Sequence, residues 1–241
     1  MKPEEGHVPS SGNELETPTN ISVPYSKAYF DVVVSLIREY GFYTINERFG
    51  DMGFIRGDLI DFEKDGIPEL VCIYRKEFFN NICIYTFSEN HAALLVDQLT
   101  GDSILGDNFS QIKYAEIDNV QYILTQKCDW GKVERIYAYT IDGVFLHTTE
   151  LYAETQIKEE DNGPFIESYL NCRINNKSVT EEEYITQMEY FYKDYKKTIM
   201  WDRIKENDDI RDYTIDDAIQ FVVALANDAG IKEAETLKLV S

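Results

Sequence analysis

Leu59-Ile60-Asp61-Phe62-Glu63-Lys64-Asp65-Gly66-Ile67-Pro68-Glu69-Leu70 runs on into Val71-Cys72-Ile73-Tyr74, with apolar runs on either side of a tight acidic loop. Branched and aromatic residues such as these suit a pleated, half-buried surface, so both flanks read as strands. Glu63-Lys64-Asp65-Gly66 supplies turn chemistry, with the glycine able to take a left-handed conformation. The stretch is therefore expected to be a β-hairpin, and it makes the middle of the chain a β structure.

The same loop has a second reading. Carboxylates fall at loop positions one (Asp61), three (Glu63), five (Asp65) and nine (Glu69), and the carbonyl of Ile67 sits at position seven. Calcium takes six to eight oxygens, and this alternation aims every second group inward. The candidate metal ligands are thus Asp61, Glu63, Asp65, Ile67 and Glu69, with calcium as the candidate ion. An EF-hand is excluded because position twelve, where a bidentate glutamate belongs, is Cys72. The pattern instead resembles the D-x-D-x-D-G-x-x-[DE]-L loop between strands of FG-GAP propeller repeats, with Glu63 and Lys64 as departures.

Outward from the loop, residues at about 54–174 read as short strands joined by turns. Ser88-Glu89-Asn90, Asp118-Asn119 and Asp142-Gly143 mark hairpins, the last with Ile141 expected opposite Val144 and Tyr139 opposite Leu146. That register puts Tyr137, Tyr139, Ile141 and Leu146 on one face. The other face reads as Arg135-type polarity mixed with Ile136 and Ala138. Residues 98–111 and 155–167 are glycine-rich or acidic and read as loops. Cys72 and Cys83 fall on consecutive strands and face each other if the turn centres on Glu77-Phe78; buried free thiols are expected rather than a disulfide.

Helices are expected on both sides of this meander. The first has Ser26 as N-cap, an apolar stripe of Tyr29, Val33, Leu36, Ile37 and Tyr40, and Gly41 as its stop. Thr180-Glu181-Glu182-Glu183 is a capping box opening a helix expected to reach Tyr195, and Thr214 opens another that ends near Gly230. The fold class is α+β: an antiparallel β-meander, a twisted sheet or barrel-like, flanked by an N-terminal helix and C-terminal helices. Residues 1–24 are rich in Pro, Ser, Thr, Asn, Gly and Glu and read as a disordered tether. Residues 25–241 form one α+β domain whose helical part begins at about 180.

The Leu59–Leu70 stretch, the strand pairs after it, and Ile174-Asn175-Asn176-Lys177-Ser178-Val179-Thr180-Glu181-Glu182-Glu183-Tyr184 together resemble a loose family of secreted or lipid-anchored proteins of Gram-positive bacteria. Those proteins carry I-D-x-D-x-D-G-x-P-E-L early and I-N-G-K-x-V-[ST]-x-E-E-Y late. Glu63 and Asn176 depart from the pattern. The resemblance spans most of residues 25–200. It implies an extracellular or cell-surface location and no particular activity.

Composition narrows the partners. The 241 residues carry 44 acidic and 23 basic side chains, a net charge of −21. Such a surface repels nucleic-acid phosphates and anionic lipid and favours cations or basic proteins. No run approaches the roughly 18 apolar residues that cross a bilayer, and Met1-Lys2-Pro3-Glu4 lacks the start of a signal peptide. The expectation is either a cytoplasmic protein or one whose leader or lipid anchor precedes residue 1. The four cysteines show no C-x-x-C, and no phosphate-loop, dinucleotide, zincin or nucleophile-elbow motif occurs. His7, His91 and His147 read as surface or sheet residues. Catalysis is therefore unassigned and a non-enzyme is expected. The leading reading is an exported, surface-tethered binding or structural module for an unknown protein or glycan, its 17 tyrosines offering contact surface. The alternatives are a cytoplasmic, acidic, immunity-type inhibitor of a basic protein, and an unrecognised hydrolase.

Overall fold

The structure is a computed structural model that describes residues 24–43, 52–76, 79–102, 108–129, 133–143, 145–160, 163–193, 195–202, 215–232, 236 and 238. Residues 1–23 of the expected tether, and Thr214, lie outside them. The α+β class holds: helices flank antiparallel strands on both sides. The meander, however, divides into two sheets. The first is a four-stranded meander of β1 (Gly53–Ile60), β2 (Glu69–Lys76), β3 (Phe79–Ser88) and β4 (His91–Asp102). The second contains β5 (Asn108–Ile117), β6 (Val120–Asp129), β7 (Val133–Asp142), β8 (Phe145–Glu160), β9 (Gly163–Ile174), β10 (Lys177–Ser178) and β11 (Tyr195–Asp202). Its order is β10-β9-β8-β7-β6-β5-β11.

Three apolar clusters stack the molecule into four layers. Helix α1 (Tyr25–Tyr40) buries Tyr29, Phe30, Val33, Val34 and Ile37 at helical spacing on one face of the first sheet, against Phe54, Leu70 and Cys72. Helix α3 (Ile215–Asp228) joins this layer through Ala218, Val222, Leu225 and Ala226. The other face of the first sheet, with Val71, Ile73, Ile82 and Ile84, packs on Ile112, Ile123, Tyr139 and Ile141 of the second. The far face of the second sheet, with Leu124, Ile136, Ala138 and Leu151, is covered by α2 (Glu181–Tyr192) through Tyr184 and Phe191. Strand β2 lies between two apolar layers, which is why Glu69 to Arg75 are buried without a break.

Two glycines make close approaches possible. Gly53 (φ 133°) lies against the Phe42 backbone, where Tyr43 N–H donates to the Phe54 carbonyl at 3.0 Å and Phe54 N–H to the Gly41 carbonyl at 2.8 Å. Gly57 admits the Phe221 ring of α3, which a Cβ would displace.

Several expectations need correction. Helix α1 starts one residue before Ser26, with Pro24 at the N-cap; Ser26 is buried inside the first turn. Tyr25 packs edge-on to Phe87, and that contact draws the helix start backwards. Helix α2 ends at Tyr192, and Tyr195 instead opens β11, which pairs with β5. Residues 155–160 and 163–167 are strand, the end of β8 and the start of β9, and β4 and β5 extend into the expected 98–111 loop. In the β7–β8 hairpin Asp142 pairs with Phe145, so Ile141 faces Leu146 and Tyr139 faces Thr148. That slip moves the partner by two residues, so the inward set is unchanged. Arg135 lies on the Tyr137 face, not the Ile136 face; the latter is as well buried as the former, under α2.

Other local readings hold. Asp118 and Asn119 (φ 50° and 67°) turn between Ile117 and Val120, and Glu89 and Asn90 (φ 51° and 64°) between Ser88 and His91. Thr180 and Glu183 close a reciprocal capping box. Cys72 pairs with Cys83 across β2 and β3, both as buried free thiols.

Candidate functional site

The acidic loop is tied down by its own backbone and by the second sheet. The Asp61 carboxylate accepts N–H groups of Asp65 (3.1 Å) and Gly66 (2.9 Å), and Asp65 accepts the Ile67 N–H (2.8 Å). Gly66 takes φ 89° and Lys64 φ 60°, the left-handed residues that close the turn. Glu63 points away and accepts the Gly143 N–H at 2.6 Å, in the β7–β8 turn. Lys64 reaches the β5–β6 hairpin, donating to Glu116 (2.7 Å) and Asn119 (2.6 Å). Glu69 points into the core, 3 % exposed, where its carboxyl accepts the Phe62 N–H and the Thr86 hydroxyl, each at 3.2 Å. Burial pushes that carboxyl up to about 7, with the Glu63 charge adding to the rise. Of the five candidate ligands, then, Asp61 and Asp65 hold the loop's amides, Ile67 gives its N–H to Asp65, and Glu63 and Glu69 diverge. Among the described residues, no group of three or more His, Cys, Asp or Glu side chains is disposed to hold a metal ion. The geometry is that of a clasp between the sheets.

A second buried acid fastens α2. Glu134 accepts the Gln126 amide at 2.7 Å and the Tyr184 hydroxyl at 2.9 Å, and Gln126 in turn accepts the Tyr192 hydroxyl at 3.0 Å. Burial raises the Glu134 carboxyl, and the bonds from Gln126 and Tyr184 oppose that rise. Both carboxylate oxygens are engaged by protein groups, so this network positions the helix and presents no open acid.

The open site lies elsewhere, where the strands of the first sheet meet β6 and β7. There a cleft of about 530 Å3 is lined by Tyr74, Lys76, Asn81, Asp97 and Gln98 from one sheet. The second sheet adds Thr125, Lys127, Arg135 and Tyr137. Internal bonds set its walls: the Tyr74 hydroxyl donates to Asp97 at 3.0 Å, the Tyr137 hydroxyl to Glu150 at 3.2 Å, and the Tyr139 hydroxyl to Gln98. Tyr137 and Tyr139 stack with ring centroids 6.2 Å apart. Burial and the bond to Asp97 push the Tyr74 phenol well above the usual range, so it stays a neutral donor. The volume is that of a small-molecule pocket, and its lining mixes aromatic rings with amide, hydroxyl and charged groups. Sequence reading picked out none of these residues as a site. The only usable signal was an excess of tyrosine, which does not say which tyrosines converge.

Comparison of the chain with family models, curated proteins and solved structures finds no match. No helix among the described residues is long and apolar enough to cross a membrane.

Proposed function

We propose that this chain is a non-catalytic binding module and that the cleft between the two sheets is its recognition site. The observation that carries the reading is the cleft itself: a concavity of about 530 Å3 that brings tyrosine rings, amides and cationic side chains together from five strands. Rigid sheet positions, with walls pinned by tyrosine–carboxylate bonds, suit preorganised recognition. The resemblance of the 59–70 and 174–184 segments to exported Gram-positive proteins favours an extracellular setting, where such a module would meet glycans and peptides. The acidic clasp fits the reading as the element that fixes the relative position of the two sheets, and hence the width of the cleft.

Protein-observed NMR with a panel of saccharides and short peptides tests it. Binders should shift a contiguous set of amides at 74–76, 81, 97–98, 125–127 and 135–137. Shifts confined to other surfaces, or turnover of any panel member, would sink the reading.

A further inference from the structure

We infer that Cys72 and Cys83 are a cross-linking site: a small-molecule disulfide oxidises them to a cross-strand disulfide during folding, before α1 and α3 cover them. Neither sulfur lines the cleft, so the site stands or falls independently of the binding-module reading. The register of the first sheet places the two thiols together. Cys72 on β2 stands directly opposite Cys83 on β3, with Gly57 beyond it on β1 and Asp97 beyond Cys83 on β4. Residues opposite each other on antiparallel strands have Cα atoms about 4.5–5.5 Å apart. A disulfide spans Cα separations of about 4.4–6.8 Å. Both side chains belong to the apolar layer under α1, with Val33, Phe54 and Leu70. The Cys83 thiol already leans on its partner, its S–H donating to the Cys72 carbonyl at 3.8 Å.

Packing accounts for small side chains in this row, since the Phe221 ring seats on Gly57 beside Cys72. Alanine at both positions would serve that purpose; two thiols in register add a chemistry that packing does not need. Cys172 lies in the cluster under α2, with the apolar layer between the sheets separating it from the pair. The partners are also close in sequence, with ten residues between them. The hairpin that aligns them is therefore local, and such hairpins form in about 1–10 μs, far ahead of thiol exchange.

The exchange balances. One cysteine of the pair, as thiolate, attacks a sulfur of the oxidant R–S–S–R and expels R–S−, which takes up the proton the cysteine released. The second cysteine then loses its proton and attacks the first cysteine's sulfur in the mixed disulfide. The Cys72 Sγ–Cys83 Sγ bond forms, and a second R–S− leaves and is protonated. The pair is oxidised by two electrons and the oxidant is reduced to two R–SH. Burial sets the order of events. In the folded protein Cys72 is 0 % and Cys83 1 % exposed. Burial, with the neighbouring Cys83 thiol, holds the Cys72 thiol above its ordinary range and away from the reactive thiolate. Exchange therefore belongs to the open hairpin, and the helices that dock on it shield the finished bond. Opposed Cβ atoms stand about 4.5–5.5 Å apart, wider than the roughly 3.5–4.5 Å of a disulfide, so the bond draws β2 and β3 together under strain. A strained disulfide is readily reduced once a thiol reaches it, and here the helical layer denies access.

Refolding the full chain from urea in a mixture of oxidised and reduced glutathione tests the site. Free thiols are capped with iodoacetamide in denaturant, and the protein is mapped by mass spectrometry without reduction. Most of the folded product should yield one peptide pair joined through Cys72 and Cys83. Finding both residues capped would overturn the inference, as would either one joined to Cys128, to Cys172 or to glutathione. Protein folded in dithiothreitol and then moved to the same mixture without urea should acquire the bond at least about tenfold more slowly, and urea below the unfolding midpoint should speed it. Equal rates from the folded and unfolded starting states would overturn the order of exchange before burial. Cys83→Ala should lose the bridge and Cys172→Ala should keep it; the peptide map of the parent decides the matter even if Cys83→Ala fails to fold.

Discussion

Glu69→Gln should remove a pH dependence of stability built into the centre of the fold. The carboxyl is 3 % exposed and is raised by burial from an ordinary 4.5 to about 7. A group whose folded value lies above its unfolded value stabilises the fold fully below the unfolded one. That contribution is lost as pH rises through the folded one. The window is therefore pH 4.5 to about 7, and stability falls across it. The two values differ enough to make this about 3 kcal/mol, at about 1.4 kcal/mol per pH unit. Glutamine stays neutral throughout. Its oxygen can accept the Phe62 N–H while its NH2 group donates to Thr86, whose hydroxyl rotates to accept. Urea unfolding of both proteins, followed by tyrosine and tryptophan fluorescence at pH 5, 6, 7 and 8, reads the difference. The variant should match the parent at pH 5 and exceed it by roughly 2–3 kcal/mol at pH 8. Stability–pH curves that run parallel would refute the assignment of a buried, strained carboxylate at Glu69.

Gly53→Ala should destabilise by about 3 kcal/mol in urea unfolding, since it forces φ 133° on an L residue and drives a Cβ into the Phe42 backbone. Asp61→Ala should cost about 1 kcal/mol in the presence of a chelator, because its partners are the Asp65 and Gly66 amides; a cost that appears only when calcium is added would point back to an ion. Tyr184→Phe should cost about 1–3 kcal/mol and speed amide exchange in α2, since it strips a donor from the buried Glu134 carboxyl.

Local chemistry was legible and long-range pairing was not. Asp118-Asn119 and Glu89-Asn90 announce their turns because each needs two left-handed residues, which Asp118, Asn119 and Asn90 supply at low cost. The Thr180–Glu183 box is likewise complete within four residues. The break into two sheets is different. Nothing in β4 or β5 alone states whether they pair or pass over each other, and only the filling of both faces of β2 decides it. The outer parts of β8 and β9 read as loop because acidic and other polar residues, with Gly163 and Pro164, outnumber Ile157, Phe165 and Ile166 and leave no regular alternation to read. Strand β11 joins β5 across some 80 residues, beyond any local signal. The acidic loop misled in a specific way. Its spacing predicts convergence, but Glu63 finds Gly143 and Glu69 finds Thr86, both supplied by tertiary structure.

Helices α1 and α3 share one layer, although one opens the fold and the other closes it. During synthesis the first sheet is complete at Asp102, yet the residues that finish covering its Phe54, Leu70 and Cys72 face arrive only with Ala218 to Ala226. At about 5–20 residues per second that interval is roughly 6–25 s. Throughout it a growing chain carries a half-roofed apolar sheet with an open β4 edge, a target for chaperones and for pairing with neighbouring nascent chains. Ribosome spacing and C-terminal truncation should therefore govern the yield of this protein more sharply than its equilibrium stability does.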